Sequence, residues 1–158
     1  MSAVVGVFGR GITMDTTELL SRWLSEYQCA HEDELAPELH RIIDLLAARK
    51  LRQLEECLSV HLFTQPTCIL GRMASAALWV QNNDLGQAVC DLKGVTTLQP
   101  TNTMALYALG HCYERLKRES EATAYYQDCL KFKDYLQLPL QRLAAIHLKN
   151  GDFAKTIG

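Results

Sequence analysis

No stretch of this 158-residue chain approaches the ~18 consecutive apolar residues that a membrane-spanning helix needs. Nor does one charge dominate: 16 basic residues face 18 acidic ones, for a net charge of −2. That balance gives no bulk attraction to phosphate and argues against a nucleic-acid partner. The N-terminus, MSAVVGVFGRG, lacks the basic segment that opens a secretory signal, and its apolar run is too short for one. A cytoplasmic location is expected. The six cysteines (Cys29, Cys57, Cys68, Cys90, Cys112 and Cys129) are scattered, with no CxxC and no close pairing. This reads as buried free thiols rather than a disulfide framework.

The marks of catalysis are missing too. Gly6, Gly9 and Gly11 make a glycine-rich start, but there is no GxxxxGK[ST] loop and no preceding strand for a dinucleotide fingerprint. Cys57 and His61 stand one helical turn apart and could offer two metal ligands, yet no second pair lies at metal-site spacing. His111 and Cys112 are neighbours, and neighbours on a helix diverge by about 100°, so they cannot pair as nucleophile and base. The acidic runs Glu32-Asp33-Glu34 and Glu55-Glu56 read as solvated faces, as do Arg115, Lys117, Arg118, Lys131 and Lys133. No catalytic residue, cofactor site or metal site is expected, and the chain is not expected to be an enzyme.

What is present is a composition able to fold: 48% hydrophobic and 22% charged residues. The apolar residues also repeat. Leu106, Leu109, Gly110 and Tyr113 stand at i, i+3, i+4 and i+7, one stripe of a helix, and Ala122, Tyr126 and Cys129 form a second stripe. Moved by 34 positions, Tyr113 falls on Trp79 or His147, Gly110 on Ala76 or Ala144, and Pro100 on Pro66. Segments 35–68, 69–102, 103–136 and 137–158 therefore stack without a gap, the last one incomplete. Small residues such as Gly110 and Ala76 let a partner helix come close, so large side chains seat opposite small ones. Asn83-Asp84 and Gly151-Asp152 read as breaks between helices, with Asp84 and Gln87 spaced for a capping box. Pro66 and Pro100 close second helices, and Thr101-Asn102-Thr103 offers the next cap. One more helix is expected over 14–30, capped by Asp15 or Thr16, with Glu18 in its first turn. Its apolar face (Leu19, Leu20, Trp23, Leu24, Tyr27) suits a cover for the end of the first repeat. Residues 1–13 read as a loose arm.

A gapless period of 34 with Leu-Gly, an aromatic three residues on, then Ala, an aromatic and Pro resembles the tetratricopeptide repeat (TPR) family. The likeness is strong over 69–157. It is weak over 35–68, which keeps mainly Leu45, Leu58 and Pro66, and Asp134 stands where the third repeat should have Pro. The resemblance implies an all-α fold, a right-handed superhelix of antiparallel helix pairs. About four repeats are expected, the first degenerate and preceded by the extra helix, in a single domain over 14–158. It also implies that first helices line a concave groove for a partner peptide or helix. Carried over by position, the partner-facing residues are Leu70, Met73, Ala77, Met104, Tyr107, His111, Arg115, Gln141, Arg142 and Lys149. Ala74, Val80, Gln81, Ala108, Glu114, Leu138, Ala145 and Leu148 fill the remaining slots. The subtype that clamps a C-terminal carboxylate needs Lys, Asn and Arg at slots here held by Met73, Ala77, Ala108, Leu138 and Arg142, and only Arg142 fits.

Two functional readings follow. One is a protein-interaction scaffold, adaptor or chaperone-like module binding a protein or peptide. The other is the N-terminal structural segment of a larger enzyme or secretion complex, its groove filled by the rest of the chain. Neither involves nucleic acid or a membrane, and an exposed C-terminal helix leaves homo-oligomerisation open.

Overall fold

The computed structural model describes residues 15–132 and 138–151, with side chains in the second span from 141 onward. The expected arm at 1–13, Asp134 and everything after Gly151 lie outside the described residues. Eight helices and no strand occur among the described residues. They are α1 (Thr16–Ala30), α2 (Pro37–Ala47), α3 (Leu51–Thr64), α4 (Ile69–Gln81), α5 (Leu85–Leu98), α6 (Thr103–Arg115), α7 (Glu119–Cys129) and α8 (Leu138–Lys149). The helices α2, α4, α6 and α8 begin at Pro37, Ile69, Thr103 and Leu138, close to a 34-residue spacing.

The turns carry the period more faithfully than the helices do. Arg49, Asn83 and Lys117 have φ of 58°, 61° and 64°, and Gly151 has 78°. These four stand 34 apart and each follows a first helix. The left-handed residue lets the chain close the helix with a Schellman pair of hydrogen bonds. Lys50, Asp84 and Arg118 N–H donate to the carbonyls of Leu45, Trp79 and Tyr113 at 2.8–3.0 Å. Arg49, Asn83 and Lys117 N–H donate to those of Leu46, Val80 and Glu114 at 3.0–3.1 Å. Even the degenerate repeat at 35–68 keeps this frame. Helix starts repeat as well. Asn102 Oδ1 accepts from Ala105 N at 3.0 Å, the expected cap, and 34 residues earlier Cys68 Sγ accepts from Gly71 N at 3.4 Å. Asp15 occupies the N-cap of α1 but its side chain makes no cap bond, contrary to expectation, while Glu18 does lie in the first turn.

The chain groups into two compact units, Met1–Asp84 and Leu85–Gly158. In the first, α2 and α3 form a hairpin and α4 packs on both. Helix α1 does more than cover the end of the first repeat: it packs on α2 and, most extensively, on α4, the leading helices of two successive repeats. Thr17 Oγ1 donates to the Ala77 carbonyl at 3.4 Å across that contact. Leu20, Leu24, Ile42, Leu46, Leu54 and Met73 fill the core between them. Each such side chain contributes roughly 1.5–3 kcal/mol by leaving water.

In the second unit α6 and α7 form the tightest hairpin, with α5 packed on α6 and α8 on α7. Leu92, Val95, Leu109, Tyr126 and Cys129 are fully enclosed. A Cβ on Gly110 would stand 2.6 Å from Tyr126 Cδ1 and closer still to Cε1, so glycine is what admits the ring. All six cysteines are free, as expected, but only Cys112 and Cys129 are buried. Cys29 and Cys90 are exposed because they lie on the outward faces of α1 and α5. Burial pushes the Cys129 thiol up to about 12, which suits a packing group.

Candidate functional site

In the first unit the partner-facing positions expected on α4 are not open. Met73 and Ala77 are fully buried and Leu70 is half-buried. They share a helix stripe with Ala74, on the helix that α1 covers. In the second unit the positions divide by depth. Met104 and Tyr107 are buried, Tyr107 with 2% of its surface exposed. His111 and Arg142 are half-buried, and Arg115, Gln141 and Lys149 are exposed.

The second-unit residues form one connected cluster. The Arg142 guanidinium grips the Glu114 carboxylate with both ends of its fork: Nε donates to Oε1 at 3.1 Å and Nη2 to Oε2. Tyr126 Oη donates to Glu114 Oε1 at 2.8 Å. One carboxylate therefore ties α6, α7 and α8 together, with charge-assisted bonds on each side. The hydrogen bonds to Glu114 hold the Arg142 guanidinium above its ordinary pKa, outweighing burial. Burial first, and the Glu114 charge second, push the Tyr126 phenol well above 10, and burial does the same to Tyr107. The Tyr107 ring lies 5.6 Å from that of Tyr126 and is stacked on His111, centroids 6.3 Å apart and planes 7° from parallel. A second tether lies nearby: Lys149 Nζ and Asn150 Nδ2 donate to the two Glu119 oxygens at 2.8 and 3.2 Å. These bonds lower the Glu119 pKa and raise that of Lys149.

The fold is TPR-type. Two solved structures of MamA superpose on the chain, each with a TM-score of 0.70. One is the MamA RS-1 ArsTM double mutant, 15% identical, matched over 99% of this chain and 85% of that one. The other is MamA 41-end from Desulfovibrio magneticus RS-1, 16% identical, matched over 99% of this chain and 86% of that one. At such identity the likeness is one of fold. No protein-family model matches the sequence, and no curated protein matches it.

The position rule found Arg142 but not its role as a staple, and it gave no reason to single out Glu114. The pair is 28 residues apart, outside any helical or repeat spacing, so only packing reveals it. Among the described residues no three His, Cys, Asp or Glu side chains gather as a metal site would require. What the cluster leaves accessible is the half-buried His111 beside the Glu114–Arg142 pair, edged by the exposed Arg115, Gln141, Ala145, Leu148 and Lys149.

Proposed function

We propose that this chain is a protein-interaction scaffold, an adaptor or chaperone-like TPR module that holds a peptide or helix of another protein on the α6–α8 face. The supporting observation is the contrast within one set of repeat positions. On α4, Ala77 and Val80 are buried, where α6 has the half-buried His111 and Glu114. On α6 and α8 the partner-facing positions leave His111, Arg115, Gln141, Ala145, Leu148 and Lys149 within reach of solvent, with Leu148 50% exposed. An aliphatic anchor among fixed polar groups is how helical grooves recognise short segments. The role is binding rather than catalysis, in the cytoplasm, with protein rather than nucleic acid. No helix among the described residues is long and apolar enough to cross a membrane.

The test is site-specific photo-crosslinking in the source cells, with the photoreactive residue at Ala145 or, as control, at Lys131. A discrete adduct with another protein at Ala145, absent from the control and lost on Leu148→Asp, is the expected result. Adducts equal at the two sites would refute the reading. The second reading, a groove occupied by more of a longer chain, is favoured by α1, which already covers the α2 and α4 leading helices in that way. Adducts confined to the chain itself would support it. An adduct between two copies would mean that α8 mediates homo-oligomerisation.

A further inference from the structure

The chain has four asparagines, Asn82, Asn83, Asn102 and Asn150, and Asn150 alone precedes a glycine. Asn150 directly follows α8, and Gly151 is the left-handed residue that closes the helix, with φ 78°. Both are exposed. The amide carbon of an asparagine is open to attack by the backbone nitrogen of the next residue, and a side chain on that residue shields the nitrogen. Glycine has no side chain and adopts freely the backbone angles that ring closure needs. Nothing lies within 4 Å of the Gly151 Cβ position, so the turn itself is unhindered. Two contacts oppose the attack. Gly151 N–H donates to the Leu148 carbonyl at 3.1 Å, and Asn150 Nδ2 donates to Glu119 Oε2 at 3.2 Å. The other oxygen of that carboxylate accepts from Lys149 Nζ at 2.8 Å. Lys149, Asn150 and Gly151 are all solvent-exposed, so these contacts open locally without unfolding the chain.

We infer that the Asn150–Gly151 turn is a site of spontaneous deamidation, held in check by Glu119. The Gly151 nitrogen gives up its proton to water and attacks Asn150 Cγ. A C–N bond forms, the Cγ–Nδ2 bond breaks, and the amide nitrogen leaves as ammonia after taking a proton from solvent. The succinimide that results takes up one water. Opening at one carbonyl leaves aspartate at position 150, and opening at the other leaves isoaspartate. Either product puts a carboxylate where Nδ2 had donated to Glu119, so like charges meet at the first turn of α7. Isoaspartate also routes the main chain through its β-carbon, and the lengthened turn breaks the Gly151-to-Leu148 bond. The change is one-way and loosens the contact between α7 and α8, whether or not the α6–α8 face holds a partner.

The test is timed incubation of the full chain at neutral and mildly alkaline pH, with peptide mapping by mass spectrometry and enzymatic methylation of isoaspartate at each time point. Asn150 should convert while Asn82, Asn83 and Asn102 stay intact, and faster at the higher pH, because the attacking nitrogen must lose its proton. The same chain unfolded in guanidinium chloride should convert several-fold faster. Glu119→Ala, with helicity unchanged by circular dichroism, should speed the folded chain a few-fold towards that rate. Asn150→Gln should abolish conversion. The aged wild type should unfold at a lower urea concentration than the fresh one, a shift absent from Asn150→Gln aged in parallel. The inference is overturned if Asn150 stays intact in the folded chain while it converts in the unfolded one, or if it converts no faster than Asn82. It is equally overturned if Glu119→Ala leaves the folded rate unchanged.

Discussion

Gly110→Ala is the sharpest test of the second unit's packing. An added methyl would stand 2.6 Å from Tyr126 Cδ1 and nearer to Cε1, separations that real Cβ atoms do not tolerate. The ring has little room to yield. It is fully buried, its hydroxyl is bonded to Glu114 at 2.8 Å, and Tyr107 lies against it at 5.6 Å. Overpacking of this kind costs about 1–3 kcal/mol, and a displaced hydroxyl loses a bond to a charged acceptor worth about 1.5–3 kcal/mol. Alanine's better helix propensity returns about 1 kcal/mol. The net expectation is a destabilisation of about 2–4 kcal/mol, read by urea unfolding followed by circular dichroism. Gly86→Ala is the internal control, since nothing lies within 4 Å of its Cβ position; there the propensity gain should appear alone, as a stabilisation of up to about 1 kcal/mol. In a Tyr126→Leu background Gly110→Ala should lose most of its penalty. A neutral or stabilising Gly110→Ala in the wild-type background would falsify the close α6–α7 approach.

The same reasoning applies to Gly71→Ala, whose Cβ would stand 2.7 Å from Cδ2 of the buried His61 ring; a loss of about 1–3 kcal/mol by urea unfolding is expected, relieved by His61→Ala. Lys117→Gly should stabilise the chain by about 0.5–1 kcal/mol in the same assay, because the left-handed strain at φ 64° exceeds the added freedom of the unfolded glycine. Tyr107 and Tyr126 favour their neutral forms in the folded state, with pKa values raised above the ordinary 10.0. Their contribution is therefore complete below pH 10 and is lost as pH rises beyond it. In an alkaline titration, part of the tyrosinate absorbance should appear only together with loss of helicity, and complete ionisation with helicity intact would contradict the burial. Finally, a peptide ending in a free carboxylate should bind no better than its amide by calorimetry, because Met73, Ala77 and Ala108 are buried apolar groups and Arg142 is already held by Glu114.

The period of 34 was legible because it is written in the core: Leu109, Gly110, Tyr113, Ala122 and Tyr126 have to meet, and their sizes are complementary. The turn chemistry was only half legible. Asn83 and Gly151 tolerate φ > 0 and announce a break, whereas Arg49 and Lys117 do not. They adopt it because the helices on either side fix the Schellman geometry. Helix α1 was visible through its apolar stripe, but a stripe states that a face must be buried, not against what. That is why Met73 and Ala77 read as partner-facing from family position while the structure holds them in the core. The Glu114–Arg142–Tyr126 staple was illegible for a different reason: it joins three helices at separations that no local periodicity links.

The difference between the α4 and α6 faces follows from substitutions at matched repeat positions. Where α4 has Leu70, Met73, Ala77, Val80 and Gln81, α6 has Met104, Tyr107, His111, Glu114 and Arg115. The α4 version is almost wholly apolar, and its small Ala77 lets another helix lie close enough for Thr17 to reach the backbone carbonyl. Left open, such a face would expose several side chains each costing roughly 1.5–3 kcal/mol in water, so covering it with α1 is strongly favoured. The α6 version ends four of these five side chains, Tyr107, His111, Glu114 and Arg115, in a polar group. Tyr107 stacks on His111, and Glu114 spends its charge on Arg142 and Tyr126. Covering it would strip water from Arg115 and His111, so a helix laid there has to bring matching polar groups of its own. The same repeat frame thus yields one stripe that is apolar along nearly its whole length and another that turns polar from His111 onward.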